Sequence, residues 1–167
     1  MDLMRKTYAE IDLNAIESNI RKIANRFKNY KYFFGVVKAD SYGMGDINDA
    51  ESIIKGGCNY LAVATLEEAL QIREKIKDIP ILCFGNINKN FIELAHKNNI
   101  TIAINSLDYL NEIKHCNINN LKVHIKINTG MNRLRSFKCW WIKKGLSDYK
   151  RKEFLSWRNI YSYIQCS

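Results

Sequence analysis

Apolar residues near the start of the chain recur at spacings of four, three and four, which is the period of one face of an α-helix. Asp12 or Asn14, just ahead of this pattern, suits the N-cap, because a short side-chain oxygen can accept the first free N–H groups of a helix. The sequence therefore predicts an amphipathic first helix. Its apolar stripe is Ile16, Ile20, Ile23 and Phe27.

A short apolar run without alternation follows at 32–37 and ends at Lys38. Such runs are typical of strands buried on both faces of a parallel sheet. Similar runs then alternate with helical patterns, one of which is opened by Thr65 with Glu68 three residues later, the spacing of a capping box. The predicted strands cover 32–37, 60–64, 80–84, 101–104 and 122–127, and the predicted helices between them cover 48–55, a segment from Thr65, 89–97 and 106–114.

Strict alternation of strands and helices with short connections predicts right-handed βαβ units and a parallel α/β sheet. Such a sheet is either open and doubly wound or closed as a (β/α)₈ barrel of the TIM type. The compact repeat of roughly 20–25 residues per βα unit favours the barrel. A complete barrel has eight strands and typically about 250 residues. The 167 residues therefore predict an incomplete barrel with about five of the eight βα units.

The character of the sequence changes after Arg135. Residues 137–167 contain all three tryptophans and eight aromatic residues in total, and they hold +5 of the net charge of +9. We therefore divide the chain into a partial barrel at 1–136 and an aberrant basic, aromatic tail at 137–167. The tail is either a genuine C-terminal helix or the product of a reading-frame error or truncation, and the abrupt change in composition favours the second interpretation.

The basic, aromatic tail also raises the possibility of binding to nucleic acid or to a membrane surface. The first 136 residues carry only +4, an ordinary charge for a metabolic enzyme. We therefore interpret the tail as a solvated or aggregation-prone stretch. The sequence predicts no nucleic-acid partner and no membrane partner.

The five cysteines lie at 58, 83, 116, 139 and 166, without a C-x-x-C pair or an adjacent histidine. This spacing encodes neither a disulfide framework nor a metal site, and it is typical of reduced thiols. The N-terminus lacks the apolar core of a signal peptide, and no apolar run reaches the ~20 residues of a membrane span. We expect a cytoplasmic protein that binds no metal.

Two loops at predicted strand ends carry candidate chemistry. Lys38 is followed by Gly43 and Gly45, and a partly desolvated lysine amine at the carboxyl end of a parallel strand can form a Schiff base with an aldehyde. A surface lysine before a glycine-rich turn would give the same pattern. At the end of the last predicted strand, Lys126 and Arg133 form a second basic loop. Two basic loops on one face predict a pocket for an anion.

Four blocks of the sequence resemble, in the same order, one enzyme family. The segment 36–45, VVKADSYGMG, resembles the pyridoxal-phosphate signature of alanine racemases. The segments 60–69, 80–85 and 124–134 resemble later blocks of that family, so the resemblance covers residues 5 to 135. It implies the N-terminal barrel of an isomerase that uses pyridoxal 5'-phosphate to interconvert L-alanine and D-alanine, which supplies D-alanine for peptidoglycan.

The resemblance also implies roles for four residues. Lys38 is similar to the lysine that holds pyridoxal phosphate as an aldimine and acts as the base for the α-proton of D-alanine. Tyr42 is similar to the tyrosine that contacts the cofactor phosphate. Lys126 matches a lysine that is often carbamylated, and Arg133 matches the arginine near the substrate carboxylate and the phenolic oxygen of the cofactor.

The sequence departs from the family pattern at Met44, where a histidine is common, and at Asn128, where an aspartate is common. In the family, a tyrosine from the C-terminal β domain of the partner subunit is the second base, and this sequence contains no such motif. A homodimer would have to form without that domain. We therefore expect a truncated, poorly active form.

Two alternatives to an alanine racemase stay open. One is a non-catalytic or single-domain barrel that binds pyridoxal phosphate. The other is a racemase of the same family that acts on a different amino acid such as serine, because the residues that would choose between the two substrates are not in the matching blocks.

Overall fold

The computed structural model of the chain describes residues 7–116, 118 and 120–126. Strands and helices alternate along this part of the chain. The strands are β1 (Phe34–Val36), β2 (Tyr60–Val63), β3 (Ile81–Cys83), β4 (Ile100–Ile104) and β5 (Val123–Ile125). The helices are α1 (Leu13–Arg26), α2 (Lys38–Gly43), α3 (Asp46–Lys55), α4 (Leu66–Lys75), α5 (Ile92–Lys97) and α6 (Leu107–Lys114), with a 3₁₀ turn at Lys89–Phe91 before α5.

The five described strands form one sheet in the order in which they occur in the chain. Every neighbouring pair is parallel, with Phe34 opposite Tyr60 in the first pair and Ala103 opposite His124 in the last. Each crossover between neighbouring strands contains a helix. This topology confirms the predicted α/β fold, a partial barrel of five strands.

The two faces of the sheet pack against different partners. Successive residues of a strand point to opposite faces, so residues such as Leu61 and Ile102 contact the surrounding helices in the larger core, which we call the outer core. The opposite face, which we call the inner face, holds a smaller cluster rich in aromatic rings. It consists of Tyr60, Ala62, Leu82 and Ala103, with Tyr32, Phe34 and Phe84 packed against them.

The sheet is strongly curled. β1 and β5 lie four strand spacings apart in the sheet order, which would separate them by about 19 Å in a flat sheet. The ring centroids of Phe34 in β1 and His124 in β5 are nevertheless only 5.9 Å apart, and His124 lies 5.8 Å from the ring of Tyr60 in β2. The inner face is therefore the concave interior of a barrel-like sheet.

Val36 in β1 is more exposed than its apolar run predicts. Its exposed fraction is 37%, although the sequence pattern favours a strand buried on both faces. The reason is its position, because β1 is an edge strand of the described sheet. The strands β2, β3 and β4 are buried at every residue, as expected.

Helix α1 covers the barrel through only part of its predicted apolar stripe. Ile16 and Ile20 pack against the outer core, whereas Ile23 and Phe27 are exposed. The N-cap is Asp12, whose Oδ1 accepts the N–H groups of residues 14 and 15 at 2.9 and 3.0 Å. Within the described part of the chain, no helix has the length and apolar composition needed to cross a bilayer.

The half-buried position of His124 predicts a pH-dependent stability. Desolvation lowers the pKa of His124 below its ordinary value of 6.5, so the unfolded chain binds more protons than the folded chain as the pH falls through that value. The free energy of unfolding therefore decreases there with falling pH. We expect the urea midpoint to fall between about pH 7.5 and about pH 5.5, and to fall less in His124→Gln.

His115→Gln is the matched control, because His115 is exposed and its replacement leaves the inner face intact. This variant should lose as much stability over the same pH interval as the wild-type chain does. If His124→Gln and His115→Gln lose the same amount of stability over this pH interval, His124 is not the source of the pH dependence.

Candidate active site at the carboxyl ends of the strands

The carboxyl ends of the parallel strands bring two lysines to one rim of the barrel. Lys38 follows β1, and its Nζ lies 5.6 Å from the ring centroid of Tyr42. Lys126 follows β5, and its Nζ lies 6.0 Å from the ring of Phe84, which packs against the inner-face cluster. Because all neighbouring strands are parallel, both lysines lie at the carboxyl-terminal rim of the sheet.

The segment after Lys38 has an unusual backbone. Ala39, Asp40, Ser41 and Tyr42 have φ values between +51° and +61° and ψ values between +33° and +53°, so they form a turn of left-handed helix. None of the four is glycine, and a left-handed conformation costs an L-residue roughly 1–2 kcal/mol. A strained segment of this kind persists only when its surroundings fix it, and it occurs most often at functional sites.

Backbone hydrogen bonds close the turn on itself. The N–H of Ser41 donates to the carbonyl oxygen of Val37 at 3.2 Å, and the N–H of Gly45 donates to that of Asp40 at 3.0 Å. Gly43 and Gly45 continue with φ values of +85° and +100°, which glycine adopts without steric cost.

One contact from outside the segment reaches its first residue. The N–H of Ala39 donates to Oε1 of Glu68 at 2.8 Å. Glu68 also completes the capping box of α4, with Thr65 as the N-cap, so the predicted capping box is confirmed. The contact with Ala39 spans 29 residues and has no signal in the sequence.

One buried polar residue lies in this turn and another lies in the helix that follows it. Ser41 and Asp49 are buried, and neither the Ser41 hydroxyl nor the two carboxylate oxygens of Asp49 have a hydrogen-bond partner among the described residues. Such groups destabilise a fold. The region therefore departs from optimal packing in its side chains as well as in its backbone.

An asparagine pair that no sequence motif indicates lies between the ends of β3 and β4. Asn105 is 6% exposed, and its Nδ2 donates to Oδ1 of Asn86 at 2.6 Å. The neighbouring loop is held by Tyr109, whose hydroxyl accepts from the N–H of Ile87 and donates to its carbonyl oxygen, both at 2.9 Å. The pair adds amide groups to the same rim as Lys38.

A separate cavity of about 170 Å³ lies at the opposite end of the sheet. Its lining includes Tyr60, Thr101 and His124, at the amino-terminal ends of their strands or on the inner face. In parallel barrels, the amino-terminal end contributes to stability and the carboxyl-terminal end carries the chemistry. The lysine rim is therefore the better candidate for a reactive site.

The structure brings together only part of the predicted site. Lys38 and Tyr42 are in contact, Tyr42 is 65% exposed at the rim, and Met44 is also exposed. Arg133 and Asn128 lie outside the described residues, as does the whole of 137–167. Their predicted roles, and the division of the chain at residue 136, stay predictions.

Comparisons with known proteins give one consistent result. The family described as "Alanine racemase, N-terminal domain" matches residues 11–167. Alanine racemase 1 of Bacillus subtilis is 37% identical over 131 residues, which are 78% of this chain and 34% of that protein. Alanine racemase of Staphylococcus saprophyticus is 32% identical over 167 residues, which are 98% of this chain and 44% of that protein.

The fold agrees with solved structures as well. The crystal structure of alanine racemase from Bacillus anthracis with bound L-Ala-P matches with a TM-score of 0.78 and 28% identity, covering 90% of this chain and 39% of that one. The chain thus spans less than half of the length of each relative named here.

The left-handed turn predicts that an alanine-to-glycine substitution stabilises the fold at Ala39 but destabilises it in the right-handed helix α1. Ala39→Gly removes the strained Cβ and should raise the free energy of unfolding by about 1 kcal/mol, measured by urea denaturation. Ala15→Gly, at an exposed position of the right-handed helix α1, should lower it by ~0.5 kcal/mol. Destabilisation by both substitutions would argue against a left-handed turn.

Proposed function

Because the chain belongs to the family of alanine racemase N-terminal domains, we propose that it binds pyridoxal 5'-phosphate through Lys38 and serves the racemisation of alanine. The observation that carries this proposal is the position of Lys38. Its amine extends from the end of the first barrel strand, at the rim that it shares with Lys126. The proposed reaction class is the interconversion of the L and D forms of an amino acid.

The groups at the rim have the chemistry to hold this cofactor. Pyridoxal phosphate has an aldehyde group and a phosphate group. The primary amine of Lys38 is a nucleophile that can react with the aldehyde. Tyr42, which contacts Lys38 and is exposed, has a hydroxyl that can donate to a phosphate oxygen. The donors present at the rim therefore suit both ends of the cofactor.

When bound, pyridoxal phosphate supplies an electron sink that stabilises negative charge on the α-carbon of an amino acid. Lys38 would remove and return the α-proton on one face of that carbon. Racemisation needs a second acid-base group on the other face. In this proposal that group lies outside the described residues, and a partner subunit of a homodimer is its proposed source.

Two further residues complete the proposed site. Arg133 would bind the substrate carboxylate, because its planar guanidinium can donate two parallel hydrogen bonds to it. Carbamylation of Lys126 would turn a cation into an anion, which could then hold the neighbouring arginine in place. Both roles rest on the match between the segment 124–134 and the family.

Reductive trapping tests the proposal directly. The full chain is mixed with an equimolar amount of pyridoxal phosphate, reduced with borohydride and mapped by peptide mass spectrometry. We expect the adduct on Lys38 and its loss in Lys38→Arg, which keeps the positive charge but lacks a primary amine. Lys126→Arg is the matched control at the same rim, and its adduct on Lys38 should remain.

An adduct spread over many lysines, or one of unchanged yield in Lys38→Arg, would refute the assignment of Lys38. An adduct on Lys38 that forms without any effect of alanine on its yield would favour a barrel that only binds the cofactor.

A further inference from the structure

Glu68 bridges the ends of the first two strands. Its Oε1 accepts the N–H of Ala39 at 2.8 Å, and its Oε2 accepts the N–H groups of Ala64 at 2.7 Å and of Thr65 at 3.2 Å. Ala39 directly follows Lys38, and Ala64 directly follows β2. One carboxylate thus joins the start of the left-handed turn to the start of α4.

These three hydrogen bonds need two acceptor oxygens in the side chain of residue 68, one for Ala39 and one for the donors at the start of α4. A carboxylate offers two acceptor oxygens, whereas the amide of glutamine offers one oxygen and one NH₂ donor. In Glu68→Gln, the remaining oxygen would stay with the two donors at the helix terminus. The NH₂ group would then face the N–H of Ala39, and two donors cannot form a hydrogen bond.

We propose that Glu68 is a positioning residue that fixes the Lys38 amine by pinning the strained turn which follows it. The inference rests on the proposed function, in which the amine of Lys38 reacts with the cofactor aldehyde. Without the contact to Glu68, the peptide after Lys38 leaves the left-handed conformation more readily, because none of the residues at 39–42 is glycine. The direction of the Lys38 side chain would then no longer be fixed.

A purely structural role for Glu68 makes a different prediction. If the carboxylate only caps α4, loss of Thr65, the other half of the capping box, should have the same consequences at Lys38. Thr65→Ala removes the hydroxyl that accepts the N–H of Glu68 at 3.3 Å and leaves the carboxylate in place. Glu67→Gln removes an exposed negative charge from the same turn of α4.

Amide hydrogen exchange tests the contact without any cofactor. In a chain labelled with ¹⁵N-alanine, Ala39 and Ala64 report on the two sides of Glu68 in one spectrum. We expect a protected Ala39 amide in the wild-type chain and exchange at least ~10-fold faster in Glu68→Gln. Thr65→Ala and Glu67→Gln should keep the Ala39 rate within about twofold of wild type.

Reductive trapping with pyridoxal phosphate then measures the effect on Lys38. The half-saturating cofactor concentration for the Lys38 adduct should rise about tenfold in Glu68→Gln and stay near wild type in Thr65→Ala and Glu67→Gln. Adding Ala39→Gly to Glu68→Gln should recover part of the loss, because glycine adopts the left-handed conformation without strain. A cap of α4 alone would give no such recovery.

The outcomes separate the two proposals. If Glu68→Gln leaves both the Ala39 rate and the Lys38 adduct unchanged, or if Thr65→Ala reduces the adduct equally, the positioning role is wrong. If the Glu68→Gln variant does not fold, the Ala39 amide of the wild-type chain decides the matter. An unprotected amide overturns the positioning role of Glu68, and a protected amide supports it. If the wild-type chain forms no adduct on Lys38, the proposed function fails, and the Ala39 exchange alone then decides whether Glu68 holds the turn.

Discussion

Phe34 and His124 meet on the inner face although their strands occupy the two edges of the described sheet. The rest of the site depends on this contact, because it measures the curl of the sheet. A curled parallel sheet directs every carboxyl end to one rim, and the rim is small enough for loops from different strands to surround one ligand. Aromatic side chains line the inner face beneath it.

Local strain at this mouth is balanced by specific contacts. The left-handed turn after Lys38 is unfavourable for its own residues, and the hydroxyl of Ser41 is buried there without a partner among the described residues. The capped start of α4 compensates through Glu68, which lies on a regular, well-packed helix. The left-handed segment is therefore held by a regular helix rather than by its own conformational preference.

Much of the fold follows from the sequence, and the reasons are physical. The continuous apolar runs of β2, β3 and β4 can only be buried on both faces, and their alternation with helices leaves a parallel sheet as the solution. The pattern does not reveal how completely a strand or helix is covered. Val36, Ile23 and Phe27 are exposed because they lie at an edge or beyond the packed part of α1.

The site was only partly predictable for a different reason. The position of Lys38 at a strand end follows from the apolar run before it. The left-handed conformation of Ala39 does not, since alanine disfavours it, and the contact that reaches it comes from Glu68, 29 residues away. Long-range contacts of this kind depend on the register of β1 against β2, which a single sequence does not specify.

A crystal structure of the full chain grown with pyridoxal phosphate is the most direct test of the account. It should show electron density that is continuous from the cofactor to Nζ of Lys38, with residues 39–42 in the left-handed conformation. Density joined to Lys126 or to another lysine, or a right-handed turn after Lys38, would contradict it.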